Sequence, residues 1–193
     1  MLILLKILLP LVVLTVPVIA FQSPQGKDWP QEPDGFSGLK FLAIKTDIQK
    51  IIKLGSCKVV PPINPMPLET KECEVELTLD GLKLEGSVRF TSPKGGRDDD
   101  GQLTDIIGNF GVANAETVKT TLIKMYGEPH NSQKTRDGAS TFWNGKRANI
   151  ILFSSETSGS FIMEPSHFMI GGVSQSNHFD KASQLSSFQP EHR

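Results

Sequence analysis

The chain has 193 residues, of which 20 are Lys or Arg and 21 are Asp or Glu, and its formal net charge is −1 at pH 7. A protein that binds nucleic acid or an anionic membrane through its charge needs a basic excess or a basic stripe, so this balance argues against both classes. The length suits a single domain with a hydrophobic core.

The N-terminus has the features of an export signal. Lys6 precedes an apolar run that ends at Phe21 and is shorter than the span of roughly 20 residues that crosses a bilayer. Small side chains near the end of the run predict cleavage between Ala20 and Phe21, which makes residues 1–20 a signal peptide and the mature protein periplasmic or secreted. An uncleaved anchor over residues 2–21 is the alternative, and only in that case is a membrane contact expected.

Two cysteines, Cys57 and Cys73, flank a proline-rich stretch and are the only cysteines in the chain. In an oxidising compartment two cysteines usually pair, and a bridge across this loop stabilises by about 3 kcal/mol in the chain-entropy model. Two separate thiols are the alternative. A zinc site needs about four ligands, and neither cysteine has another Cys or His close by in the sequence. The sequence therefore predicts a structural disulfide.

The first half of the chain predicts a short helix and three strands. Residues 21–35 are polar and rich in proline and glycine, which predicts a flexible lead-in. A capping box at Thr46 and Gln49 predicts a helix that ends at Gly55. After the proline loop, apolar and polar residues alternate on both sides of Asp80-Gly81, a dipeptide typical of two-residue hairpin turns. This turn predicts the register Leu79 with Leu82, Leu77 with Leu84 and Val75 with Gly86. A third strand is expected from Gln102 to Phe110, with Leu103, Ile107 and Phe110 inward.

The second half predicts the same order of elements. A helix begins near Asn114 or Ala115 and ends before Gly127. Its core-facing stripe is expected to contain Val118, Leu122, Met125 and Tyr126. Three strands are expected at 140–143, 147–154 and 159–164, with turns at Asn144-Gly145 and Ser158-Gly159. Residues 166–193 lose apolar periodicity, which predicts a disordered tail.

Together these elements predict an α+β fold for residues 36–165. It is expected to consist of two α-β-β-β units, over about 36–110 and 111–165, that form an antiparallel sheet with the helices packed on one face.

Two segments carry a resemblance to a known kind of protein. They are GFSGLKFLAIKTDIQKI at 35–51 and ETVKTTLIKMYGEPHNSQKTRDGASTFWNGKRANIILFSSETSGSFIMEP at 116–165. They resemble the tandem α-β-β-β units of small exported bacterial proteins, namely the beta-lactamase-inhibitor-like fold and the outer-membrane-assembly lipoproteins of the BamE/SmpA kind. YGEP and FWNGK are the local matches, while the lipid-attachment cysteine of the lipoproteins is absent here. The resemblance implies a protein that binds other proteins and does not catalyse.

Several side chains are candidates for chemistry. Glu72, Glu74, Glu76 and Glu85 fall on the outward face of the predicted hairpin. Paired carboxylates can serve glycoside hydrolysis, but a solvated sheet face also explains alternating glutamates. The acidic segment 95–105 does not match a calcium-binding loop, and there is no Gly-x-Ser-x-Gly nucleophile motif. The sequence therefore predicts no catalytic residue, metal or cofactor.

Three residues are predicted as contacts for a partner. Trp143 and Tyr126 are aromatic anchors of the kind found at interfaces, and core packing is the alternative for both. His130 follows a proline in a loop, where it could face a cleft, and an ordinary surface histidine is its alternative.

The sequence thus predicts a non-catalytic exported protein that binds an unknown protein in the envelope or outside the cell and binds no nucleic acid. The alternatives are an envelope hydrolase with a non-standard site and an envelope scaffold held by an uncleaved anchor.

Overall fold

The computed structural model describes residues 28–61, 68–170 and 173–176. The predicted signal peptide and the cleavage site at Ala20 and Phe21 lie outside the described residues. In chain order the elements are β1 Gly35–Phe36, β2 Leu39–Lys40, α1 Lys45–Ile48, β3 Cys57–Val60, β4 Leu68–Leu79, β5 Leu82–Pro93, β6 Gln102–Gly111, α2 Ala115–Tyr126, β7 Asn131–Thr135, β8 Gly138–Asn144, β9 Ala148–Ser154, β10 Ser158–Pro165, β11 His167–Ile170 and β12 Val173–Ser176. Short 3-10 turns lie at Asp98–Asp100 and Val112–Asn114.

Eight strands form one antiparallel sheet in the order β3-β4-β5-β6-β10-β9-β8-β7. Each half of the sheet is a four-stranded meander, and the two meanders meet where β6 pairs with β10. Because α2 lies between β6 and β7 in the chain, it carries the chain from the centre of the sheet to its far edge. Two separate pairs, β1–β2 and β11–β12, complete the described strands.

The hairpin of β4 and β5 confirms the register that the alternation and the turn predict. Leu79 pairs with Leu82, Leu77 with Leu84 and Val75 with Gly86. Asp80 and Gly81 have φ values of 48° and 84°, and a two-residue turn with positive φ at both positions matches the twist of the strands on either side. Each strand has 12 residues, so this hairpin satisfies the backbone hydrogen bonds of a large part of the first half.

The predicted α+β class is wrong, because the protein is mostly β. Strands make up more than half of the described residues, and the eight-stranded sheet replaces two α-β-β-β units with helices on one face. The helix expected in the first half is the single turn α1, whose N-cap residue, Ile44, makes no side-chain capping hydrogen bond. The predicted capping box at Thr46 and Gln49 therefore does not form. Gly55 does not end the helix, and its backbone is not in the left-handed conformation. No helix among the described residues has the length and apolarity to span a membrane.

The hydrophobic core lies on one face of the sheet. Its cluster contains alternate residues of β4 and β5, α1 Ile48 and the α2 residues Val118, Leu122 and Tyr126. The predicted bounds of α2 are confirmed, and the helix ends at Gly127 with φ 81°. The predicted stripe is wrong in one position, because Met125 is 41% exposed.

Residues 28–32 pack against the second half of the chain. Trp29 is buried, and its Nε1–H donates to Tyr126 O at 2.5 Å. Its ring also meets the edge of His130, with 5.4 Å between ring centroids. The Glu32 carboxylate accepts hydrogen bonds from the backbone N–H groups of Arg147 and Ala148. The sequence predicts a flexible lead-in here, whereas the described part of it is a docked segment.

The second meander confirms the three predicted strands. It also contains an additional edge strand, and its turns differ from the predicted ones. Strand β7 has the sequence NSQKT, which lacks the apolar alternation that marks a strand. The turn between β8 and β9 is longer than the predicted two-residue Asn-Gly turn, since Asn144 pairs with Asn149. Ser158-Gly159 lies inside β10 and not in a turn. Within the predicted disordered tail, residues 167–170 and 173–176 form β11 and β12.

Candidate functional site

The sheet has a second face, opposite the one that carries the core. One end of this second face is covered and the other end is open. Successive residues of a strand point to opposite faces, so Glu72, Glu74 and Glu76 point away from the core when Cys73, Val75 and Leu77 point into it. At one end of this second face, β11 lies against β5 and Ile170 packs on Leu68. The other end is open and holds a groove.

The groove has a volume of about 780 Å³. Strands β4, β5 and β6 form its floor, and the segment from Lys53 to Lys58 forms one wall. Gly55 N–H donates to Glu74 O at 2.8 Å and Glu74 N–H donates to Ser56 O at 3.0 Å, so this segment already runs along β4 before β3 begins. The lining residues are Lys53, Gly55, Ser56, Lys58, Glu72, Glu74, Val75, Glu76, Glu85, Gly86, Ser87 and Asn109.

A disulfide between Cys57 and Cys73 fastens this wall, with an S–S distance of 2.05 Å. The two residues are direct partners in the β3–β4 pairing, and Cys73 is fully buried while Cys57 is exposed. The predicted bridge is confirmed, and it fits a protein of an oxidising compartment.

The groove carries negative charge that its own cations do not balance. Glu76 pairs with Lys83 at 2.8 Å, but no ion pair is present for Glu74 or Glu85 among the described residues. Glu76 and Glu85 are also direct cross-strand partners. Like charges in this position are destabilising, so the floor of the groove contains an unfavourable pair that a bound cation would relieve.

Glu72 links the groove to a cluster of charged groups that lies toward the covered end of the second face. Its carboxylate lies 3.8 Å from Lys58 Nζ at the groove and accepts a hydrogen bond from Arg89 Nε at 2.8 Å. Arg89 is also 3.9 Å from the carboxylate of Asp105. Burial raises the pKa of Asp105, and burial together with the Asp105 charge raises the pKa of Glu164 well above its ordinary value.

The predicted partner contacts lie elsewhere. Trp143 is fully buried and its Nε1–H donates to Gly127 O at 2.8 Å. Tyr126 is buried as well, which raises its pKa to about 12. His130 is half-buried, and its Nδ1 accepts the Asn144 N–H at 3.0 Å. The structure brings Tyr126 and His130 together around Trp29, and none of the three predicted residues lines the groove. Core packing, the alternative for the two aromatics, fits their burial.

Sequence reasoning identified the four glutamates but missed the rest of the site. The charged and amide residues that it missed are Lys53, Lys58, Arg89, Asn109, Asp105 and Glu164. Asp105 and Glu164 each sit in an apolar run of a strand, and a charge at such a position is the one signal that could have marked a buried cluster. No group of three or more His, Cys, Asp or Glu side chains in the described part of the chain is placed to hold a metal ion.

The chain matches no protein-family model, no curated protein and no solved structure. The resemblance to tandem α-β-β-β proteins therefore stays a prediction.

Proposed function

We propose that this is an exported, non-catalytic protein that binds another protein through the groove on the second face of its sheet. The observation that carries the proposal is the pair of carboxylates, Glu74 and Glu85, that line the groove without an ion pair among the described residues. The disulfide fits an oxidising compartment, and within that class we propose the periplasm or the cell exterior.

The charge of the groove favours a partner segment that carries Lys or Arg. Glu74 and Glu85 offer carboxylates to such side chains, and a cation beside Glu85 would also offset its repulsion with Glu76. A volume of about 780 Å³ lies within the usual range for binding clefts. The open course of the groove along β4 and β5 suits an extended segment better than a folded domain.

Replacing both unpaired carboxylates, Glu74→Gln with Glu85→Gln, is expected to weaken binding of a lysine-rich peptide about three- to tenfold. Each exposed charge pair that is lost contributes roughly 0.2–1 kcal/mol. The same double variant should unfold at equal or higher urea concentration, because it removes the opposed pair Glu76 and Glu85. Isothermal titration with the peptide and urea unfolding followed by circular dichroism measure the two effects.

Glu156→Gln, in the exposed turn between β9 and β10, is the matched control and should change neither result. Equal peptide affinity for the wild type and the double variant would contradict the groove as the binding site. The same peptide in which glutamates replace the lysines should not bind.

Two other measurements on the same protein distinguish this function from the alternatives, an envelope hydrolase and an envelope scaffold held by an uncleaved anchor. Substrate turnover that is lost when Glu85 is replaced would favour an envelope hydrolase. N-terminal sequencing of protein recovered from the envelope would favour an anchored scaffold if Met1 were retained.

A further inference from the structure

One hydroxyl group at the floor of the groove has no hydrogen-bond partner. Ser87 lines the groove and is 8% exposed. Its side chain makes no hydrogen bond in the part of the chain that the structure describes. Buried hydroxyl groups are hydrogen-bonded in most proteins, so an unpaired one at the floor of a cleft points to a group that binds there.

Two carboxylates without an ion pair flank Ser87. Ser87 lies directly opposite Glu74 in the β4–β5 pairing, and Glu85 lies two positions before Ser87 on the same face of β5. Both carboxylates line the groove, and neither has an ion pair among the described residues. Glu76, which lies opposite Glu85, is paired with Lys83 at 2.8 Å. The floor of the groove therefore places one hydroxyl group between two carboxylates.

The Glu74 carboxylate is directed away from Glu85. A methyl group at Gly55 would lie 3.4 Å from Glu74 Oε2, and Gly55 belongs to the wall, on the side of β4 opposite to β5. Glu85 lies on β5, diagonally across the strand pair from Glu74. Diagonal neighbours in an antiparallel pair are about 7–8 Å apart. The two carboxylates are therefore arranged to contact two cationic groups rather than one.

An extended chain matches this spacing at alternate residues. In a strand, residues separated by one other point to the same face and are about 7 Å apart, whereas adjacent residues point to opposite faces. A segment laid along the floor would thus direct two basic side chains, separated by one residue, toward Glu74 and Glu85. Of two adjacent basic residues, one would point away from the sheet into solvent.

We infer that the groove recognises an extended partner segment with basic side chains at alternate positions, and that Ser87 Oγ accepts a hydrogen bond from the cationic group beside it. The inference rests on the proposed function, because it specifies the partner of the same groove. An ammonium group has three donors, so one that contacts Glu74 or Glu85 can also donate to Ser87 Oγ. The site specifies the spacing of the basic residues and not what lies between them.

Two peptides of the same composition test the spacing. Each carries two basic residues among glycines and serines, at alternate positions in one peptide and at adjacent positions in the other. The basic residue is 2,4-diaminobutyric acid, because its short side chain cannot reach across a wrong spacing as lysine can. The alternating peptide is expected to bind the wild type about two- to fivefold more tightly, since the adjacent peptide pairs only one of its cations. NMR chemical-shift titration at low salt measures both affinities.

Ser87→Ala tests the hydroxyl group. This variant is expected to weaken binding of the alternating peptide about two- to tenfold. It should unfold at the same urea concentration as the wild type or a higher one, because the hydroxyl group makes no hydrogen bond within the described residues. Ser160→Ala is the matched control and should change neither result, since Ser160 lies opposite Asn109 on the same face but does not line the groove.

The outcomes separate this inference from the proposed function. Equal affinity of the two peptides for the wild type, with both weakened by Glu74→Gln and Glu85→Gln together, would overturn the spacing and leave the groove as the binding site. Binding of the lysine-rich peptide without binding of the alternating peptide would overturn the spacing as well. Peptide affinities that the double variant does not change would contradict the groove itself, and the inference with it. Unchanged affinity in a folded Ser87→Ala variant would overturn the role of Ser87.

Discussion

Replacing Trp29 with alanine is expected to lower the free energy of unfolding by about 3–5 kcal/mol, the range for removing a buried aromatic side chain. Trp29 is 7% exposed and belongs to the main core cluster. Its ring packs edge-on against Tyr126 and His130, and its N–H donates to Tyr126 O. Urea unfolding followed by circular dichroism measures the loss.

Trp29→Phe separates packing from hydrogen bonding. It retains an aromatic ring in the same place but removes the donor to Tyr126 O, so its cost is expected to be smaller, about 1–3 kcal/mol. If the alanine variant were as stable as the wild type, residues 28–32 would not be part of the folded unit.

Removing the disulfide with Cys57→Ala and Cys73→Ala together is expected to cost about 3 kcal/mol, the value for a loop of this length in the chain-entropy model. The double variant should also bind a basic peptide less tightly, because β3 and the wall from Lys53 to Lys58 lose their covalent tie to β4. Chemical denaturation of both proteins without reductant gives the first value, and peptide titration gives the second.

Reductant supplies the matched control for the disulfide. Dithiothreitol should lower the unfolding midpoint of the wild type and leave that of the double variant unchanged. Free thiols in protein recovered from outside the cell would mean that the bridge does not form there.

The β4–β5 hairpin was predictable because all of its determinants are local. Asp80-Gly81 fixes the turn, and the alternation on both sides of it fixes which residues face the core. The class of the fold was not predictable in the same way. Strand β7 is polar, and the helix expected after Thr46 stops after one turn, so neither element shows its true extent in the local pattern.

The candidate site was likewise predictable from the sequence in one part and not in the other. Alternation alone placed Glu72, Glu74, Glu76 and Glu85 on one outward face, and the structure joins them in one groove. The cluster around Arg89 was missed because it joins β4, β5 and β6 to β10, a strand that lies beyond α2 and three further strands in the chain. Contacts between such distant segments leave no periodic trace in a single sequence.

The docking of residues 28–32 has a consequence for the order in which the chain folds. Trp29 and Tyr126 are 97 positions apart, and Glu32 and Arg147 are 115 positions apart. Contacts of such long sequence separation form late, because the entropy of closing a large loop is lost before the contact stabilises it. The strand pairs of the first meander can therefore assemble before residues 28–32 find their partners.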